Sequence, residues 1–151
     1  MFAGISRKNR PYTYNPDING NFIVRIIQGL NNNTDADYSW VHFSLSCLEN
    51  LEEKDIYISG NYNNWQLNKD NKLTYNERTG LYEGSLLLKQ GFYNYQYVTR
   101  TANGIISNHD IDGSFYQTEN DYTVLVYYKK FGSRYDRVIG VGFGNSEKIN
   151  N

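Results

Sequence analysis

The sequence has few of the residues on which catalysis, disulfide bonding and cofactor binding usually depend. It contains one cysteine, Cys47, so no disulfide can form within the chain, and only two histidines, His42 and His109. No serine lies in a Gly-x-Ser-x-Gly turn, the motif of a common class of nucleophile. The acidic pairs are close neighbours in sequence, whereas catalytic carboxylates must face each other across a cleft. We therefore expect a protein that is not an enzyme and has no cofactor.

Net charge and long hydrophobic runs are also lacking. Fifteen basic and sixteen acidic residues give a net charge of −1, which provides no overall field to hold a nucleic acid or an anionic membrane. No apolar run is long enough to span a bilayer, and residues 1–10 contain no apolar signal-peptide segment. We expect no nucleic-acid partner and no direct membrane insertion. Residues 7–11 are typical of a linker, so we also expect the natural protein to extend further, with any export signal outside this sequence.

Tyrosine and short alternating segments dominate what is present. Aromatic residues make up 16% of the 151 residues, with fifteen tyrosines, and rings pack well on a pleated sheet surface. Apolar and polar residues alternate with the two-residue period of a strand in seven segments: 22–27, 38–47, 55–59, 72–75, 81–88, 92–99 and 122–128. The pattern predicts an all-β, immunoglobulin-like sandwich of about seven antiparallel strands. We predict a leading segment or linker at 1–19, the sandwich at 20–130, and an extended glycine-containing tail at 131–151.

One turn combines an aromatic pair with asparagines. The sequence GNYNNW at 60–65 resembles the glycine-x-aromatic-asparagine-asparagine-tryptophan signature of early-set immunoglobulin-like domains, including the family 48 glycogen-binding modules. The resemblance implies a carbohydrate site centred on Trp65, with Tyr62 and Asn64 beside it. The second sugar-stacking tryptophan of those modules has no counterpart here, because the matching hairpin reads NGII at 103–106. The alternative is structural: Trp65 closes the rim of the sandwich while Asn63 and Asn64 hold the turn.

A polar loop has the spacing of calcium ligands. Asn108, Asp110 and Asp112 precede Gly113, and Glu119 follows six residues later, as in a calcium-binding loop. Asparagine stands at the first ligand position, and strands are predicted where the helices of an EF-hand should be. The alternative is a loop held by its own side-chain hydrogen bonds, and it is the interpretation that we favour.

A wider resemblance covers nearly the whole chain. Its segments are PYTYNPDING at 11–20, YSWVHF at 38–43, NNWQL at 63–67, LKQGFYNYQY at 88–97, DGSFYQTEN at 112–120 and RYDRVIG at 134–140. Together, in this order, they resemble the C-terminal region of the Bacteroidetes family of type IX secretion system plug proteins. The resemblance implies a non-catalytic periplasmic protein that closes the outer-membrane translocon by protein–protein contact.

The tail offers residues suited to such a contact. Arg134, Tyr135 and Arg137 belong to the residue types enriched at binding hot spots, and neighbouring glycines free the backbone to lie against another surface. We therefore predict that the tail contacts the translocon. The alternative is that it completes the sandwich or pairs with the edge strand of its own domain.

Overall fold

The computed structural model describes residues 3–14, 17–47, 51 and 53–146, and this part of the chain is almost entirely β. Its elements are β1 (Gly4–Ile5), β2 (Phe22–Val24), α1 (Asn32–Asp35), β3 (Tyr38–Ser46), β4 (Lys54–Ser59), a 3-10 turn (Asn61–Asn63), β5 (Lys72–Asn76), β6 (Leu81–Lys89), β7 (Gly91–Tyr93), β8 (Gln96–Thr101), β9 (Ile106–Ser107), β10 (Asp121–Tyr128) and β11 (Arg137–Asn145). Within the described residues, no helix has the length and hydrophobicity needed to cross a bilayer.

The chain divides into two compact units, residues 1–114 and 115–151. The first unit contains β1 to β9 and is called the sandwich below. The second contains β10 and β11 and is called the hairpin. The sequence analysis placed its boundaries instead after residues 19 and 130.

Seven strands of the sandwich form one sheet folded into two layers, and β2 and β7 form a separate two-stranded sheet. The strand order is β1-β3-β6-β5-β4-β8-β9, and every pair is antiparallel except β1 with β3. Strand β5 joins the layers, because Lys72 and Leu73 pair with β4 whereas residues 74–76 pair with β6. The prediction of an all-β sandwich is confirmed.

The core lies between the two layers. Side chains from both layers meet there in one buried cluster, formed by Leu45, Leu51, Ile56, Ile58, Leu73, Tyr97 and Ile111. Burial of one large aliphatic side chain contributes about 1.5–3 kcal/mol, so this cluster supplies most of the stability of the sandwich. Both faces of β4 are covered, because the Arg100 guanidinium lies 4.7 Å from the centre of the buried Tyr57 ring on the face away from the cluster.

The predicted strand at 92–99 is divided in the structure into β7 and β8. Between them, the Asn94 side chain accepts a hydrogen bond from the backbone N–H of Ile18 at 2.7 Å, which ties the leading segment to the sandwich. Strand β7 then pairs with β2, and the Phe22 ring stacks on the Tyr93 ring with centroids 5.4 Å apart. This ribbon brings Gly20 next to the turn that follows β4.

Strand β10 pairs with β11 along its whole length, from Asp121 opposite Asn145 to Tyr128 opposite Arg137, with a bulge between Val126 and Tyr127. The sequence analysis assigned 122–128 to the sandwich and 131–151 to an extended tail. The structure joins these segments instead, because Val138, Ile139, Val141 and Phe143 give the tail the residue types that favour strands.

Candidate functional site

The turn after β4 carries the first group of predicted site residues. Its backbone is left-handed at two successive residues, with φ of 53° at Asn64 and 58° at Trp65. Asparagine tolerates this region, but a tryptophan there is unusual and must be held by its surroundings. The Asn63 side chain provides part of that hold: it accepts a hydrogen bond from the Gly60 N–H and donates to the Gln66 carbonyl, both at 3.2 Å. Asn64 adopts the left-handed backbone itself, and its backbone N–H donates a hydrogen bond to the Asn61 carbonyl.

The Trp65 ring lies at the surface with 46% of the residue exposed. One part of the ring rests on the backbone of Gly20, where a built Cβ atom would lie only 2.6 Å from the ring atom Cη2. The other side borders an open cleft of about 290 Å³, lined by Ser59, Trp65, Leu67, Gln96, Val98, Ile106 and Asn108. The cleft combines an apolar wall with two amide side chains, and it can accept a small ligand that stacks and forms hydrogen bonds.

Tyr62 points the other way, although the sequence groups it with Trp65. Its side chain packs against the core cluster and meets the Tyr93 ring edge to face, with centroids 5.8 Å apart. The hydroxyl is buried and has no hydrogen-bond partner among the described residues, and burial raises the pKa of the phenol well above its ordinary value. Of the three residues predicted on this turn, Asn64 and Trp65 are exposed.

Both aspartates of the loop with calcium-ligand spacing have partners within the chain. The Asp110 carboxylate accepts hydrogen bonds from the Thr99 hydroxyl at 2.6 Å and the Lys54 ammonium at 2.9 Å, and these bonds lower the pKa of Asp110 to about 2. Asp112 accepts the backbone N–H of Tyr97 at 2.8 Å, while burial raises the pKa of its carboxyl. Glu119 lies in the second unit. Among the described residues, no cluster of three His, Cys, Asp or Glu side chains could hold a metal ion.

Apolar side chains cover both faces of the hairpin and are exposed on both. Residues paired directly across the strands share a face. One face carries Tyr122, Val124 and Val126, and the other includes the pair Leu125 and Val141. Each of these residues is at least 46% exposed. Contiguous apolar surface of this kind marks interaction sites in soluble proteins.

A strip of three glycines runs along the first of these faces. Gly140, Gly142 and Gly144 lie directly opposite Val126, Val124 and Tyr122. A Cβ atom built on Gly142 or Gly144 would meet no atom of the described chain within 4 Å, and neither residue has the positive φ that favours glycine. Glycine costs a strand about 0.5–1 kcal/mol relative to alanine. No contact among the described residues requires glycine at 142 or 144, and the strip leaves the β11 backbone open to close approach.

The second group of predicted site residues lies at the turn of the hairpin. The Arg137 guanidinium donates a hydrogen bond to the Tyr135 hydroxyl at 2.9 Å and lies 5.3 Å from the centre of its ring. Tyr135 is 59% exposed, and Arg134 is exposed next to it. The two predicted groups, one on the Trp65 turn and one on the hairpin, belong to different units.

Sequence reasoning missed two sets of residues. Gln96 and Ile106 line the cleft beside Trp65, yet neither carried a signal, because their proximity depends on the pairing of strands distant in sequence. The glycine strip did carry a signal: the alternation of glycine with apolar residues at 139–144 has the period of a strand.

Comparisons with known proteins give similarity to a solved structure but no matching family model. No protein-family model matches the sequence, and no curated protein matches it. The fold is similar to the crystal structure of a hypothetical protein from Parabacteroides merdae, with a TM-score of 0.86 and 37% sequence identity over 97% of this chain. The chain spans 37% of the length of that protein, so this protein is similar to one region of a larger molecule.

Proposed function

We propose that this chain is a non-catalytic, periplasmic plug component that closes the outer-membrane translocon of the type IX secretion system by protein–protein contact. The proposal joins two lines of support. The sequence motifs resemble those of the plug family in their order along the chain. The hairpin supplies a surface that is suited to a partner and poorly suited to water.

The observation that carries the proposal is the exposure of both apolar faces of the hairpin. A two-stranded hairpin is at best marginally stable in water on its own, and this one exposes Val124 and Leu125 on opposite sides. Contact with a partner would bury this surface and order the strands at the same time. The glycine strip next to Val124 would let the partner approach the backbone of β11 closely.

The decisive experiment is co-purification of the tagged protein with an outer-membrane translocon from the cells that produce it. Gly142→Val is the informative variant, because it places a side chain where the partner would approach, and a Cβ atom at this position meets no atom of the described chain within 4 Å. We expect the variant to fold normally and to lose most of its association with the translocon. Cells with this variant should have a leakier outer membrane.

Thr74→Val is the matched control. It adds a valine at an exposed strand position in the sandwich, away from the hairpin in sequence and in unit. Association should be unchanged in this variant. If the unmodified protein brings down no translocon, or if its loss leaves the outer membrane no leakier, the plug assignment is wrong.

A carbohydrate-binding module is the second candidate function, favoured by the position of Trp65. Its ring borders a cleft that also presents Gln96 and Asn108, an aromatic surface with polar groups at its edge. One stacked ring contributes about 1–3 kcal/mol, so a site with a single tryptophan would bind sugar weakly.

Tryptophan fluorescence tests this second function directly. The chain has two tryptophans, and Trp40→Phe leaves Trp65 as the sole reporter. Titration of that variant with maltooligosaccharides should change the Trp65 emission at millimolar sugar, and Trp65→Ala should abolish binding measured by calorimetry. A flat titration would remove carbohydrate as a ligand and leave the plug proposal untouched.

A further inference from the structure

Positive charge is concentrated at the turn end of the hairpin. Residues 127–137, called the hairpin tip below, contain Lys129, Lys130, Arg134 and Arg137 against one acidic residue, Asp136, a net charge of +3. The whole chain carries −1, so the remaining residues carry −4. The overall charge therefore conceals a local positive field at one end of the molecule.

The cations of the tip are available to a ligand. The ion pairs of the described chain, Lys54 with Asp110 and Lys72 with Asp55, both lie in the sandwich. All four basic side chains of the tip are exposed. Arg137 contacts the neutral Tyr135 ring and hydroxyl, an arrangement that orients the guanidinium without neutralising its charge.

Aromatic side chains surround these cations. Phe131 stands at the turn itself and is fully exposed, at 103% of its reference area. Tyr127, Tyr128 and Tyr135 lie behind it, each more than half exposed. Phe131 falls between the lysine pair and Arg134 in sequence, and Gly132, with φ of 81°, allows the chain to reverse beside it.

We propose that the hairpin tip binds an anionic lipid surface, with the basic side chains on the headgroup phosphates and Phe131 inserted among them. This would be a peripheral contact at the headgroup level, in which no part of the tip crosses the bilayer. It does not depend on the plug proposal, although a protein closing a membrane-embedded translocon would work next to such a surface.

Two observations favour lipid over an acidic protein surface. A fully exposed phenylalanine at the apex of a cationic turn has no role in a purely electrostatic contact, whereas rings inserted at the headgroup level anchor proteins to membranes. The tyrosines lie on both sides of the apex in sequence, Tyr127 and Tyr128 at the end of β10 and Tyr135 just before β11, which suits a medium that surrounds the tip. A flat protein surface would leave part of these rings in water.

Co-sedimentation of the whole chain with lipid vesicles tests the proposal. Vesicles of phosphatidylcholine alone are compared with vesicles that also contain phosphatidylglycerol. We expect binding only to the anionic vesicles, weakened by salt. Each basic residue near an anionic surface contributes about fivefold in affinity, so Lys129→Gln with Lys130→Gln should weaken binding by roughly twentyfold or more. Phe131→Ala should weaken it further without changing the dependence on salt.

The control removes the same charge from the sandwich. Lys69→Gln with Arg78→Gln changes two exposed basic residues of the first unit and should leave binding nearly unchanged. The proposal is overturned if anionic vesicles do not sediment the protein, or if the two double variants weaken binding equally. It is also overturned if Phe131→Ala has no effect and poly-glutamate competes as well as the vesicles do, a result that would assign the tip to an acidic protein partner.

Discussion

The sandwich and the hairpin contain the same kinds of apolar residues, but the sandwich buries many of them and the hairpin leaves them exposed. In the sandwich, Leu45 and Ile58 are at most 1% exposed. In the hairpin, Val124 and Leu125 are 60% and 46% exposed, although they occupy strands of similar length and composition. Alternation of apolar residues thus produces a core in one unit and an exposed surface in the other.

The difference lies in the number of layers. The sandwich sheet folds over itself at β5, so its inward apolar side chains meet in one core, although the paired Trp40 and Leu87 on the outer face stay exposed. Within residues 115–146, the described part of its unit, the hairpin has two strands and no second layer. Burial supplies the stability of the sandwich, whereas the apolar side chains of the hairpin stay exposed.

The largest effect should come from removing a buried side chain. Leu45→Ala should cost about 3 kcal/mol in the free energy of unfolding of the sandwich, because it leaves a cavity in the core. Val124→Ala in the hairpin should cost less than about 1 kcal/mol. Urea denaturation followed by tryptophan fluorescence measures the loss in the sandwich, which contains Trp40 and Trp65. Amide hydrogen exchange in β10 and β11 measures the loss in the hairpin. Equal losses would contradict the division of roles.

The next largest change in stability is expected at one of two acidic residues in the same loop, Asp110 and Asp112. Asp110→Asn should destabilise the sandwich by about 2 kcal/mol, because charge-assisted bonds from Lys54 and Thr99 are weakened. Asp112→Asn keeps an acceptor for the Tyr97 N–H and removes a charge that burial penalises. It should therefore be neutral or slightly stabilising at pH 7. A large loss in the Asp112 variant would show that its charge is needed.

The lowered pKa of Asp110 also predicts how the stability of the sandwich responds to acid. The pKa of Asp110 is about 2 in the folded protein and about 4 in an unfolded chain. The contribution of Asp110 to stability is thus complete above pH 4 and disappears as the pH falls toward 2. Urea midpoints measured across this interval should fall less steeply for Asp110→Asn than for the unmodified protein, because the variant has lost the titration of Asp110. They should still fall, because Asp55 and Glu83, whose pKa values are also lowered, remain in both proteins. Parallel curves would contradict the assignment.

Two glycine substitutions with smaller effects on stability separate the cost of backbone strain from the cost of contact with the Trp65 ring. Gly104→Ala should cost about 1 kcal/mol, since its φ is 82° and the added carbon meets nothing within 4 Å. Gly20→Ala has a similar φ of 75° but also meets the Trp65 ring, so its cost should be greater and the Trp65 emission should shift. Equal costs would mean that the ring moves aside freely.

The smallest change in stability is expected in the hairpin, and it is a gain where the preceding glycine substitutions cause losses. Gly142→Ala should stabilise β10 and β11 by about 0.5 kcal/mol, because alanine orders a strand at lower entropic cost and meets no atom of the described chain. Amide hydrogen exchange within the hairpin measures this change. Faster exchange in the variant would indicate that the glycine serves the hairpin itself.

Much of the fold could be predicted from local patterns, but part of the candidate site could not. The alternating segments around Ile58 and Leu86 became strands because side-chain period fixes which face is buried. The inward orientation of Tyr62 was missed, since the motif that contains Trp65 does not show which of two nearby rings turns toward the core. The partner of 122–128 was missed as well, because pairing between strands depends on register with a distant segment.

The sequence by itself determined that this protein is all-β, that its turns fall at asparagine and glycine, and that its charge is nearly balanced. These properties follow from residue types and their spacing along one strand or turn. Only the tertiary structure decided that Trp65 borders a cleft with Gln96, that Asp110 and Asp112 have opposite pKa shifts, and that the tail returns to pair with β10. The reason is physical: burial, electrostatic environment and strand pairing depend on which distant residues become neighbours.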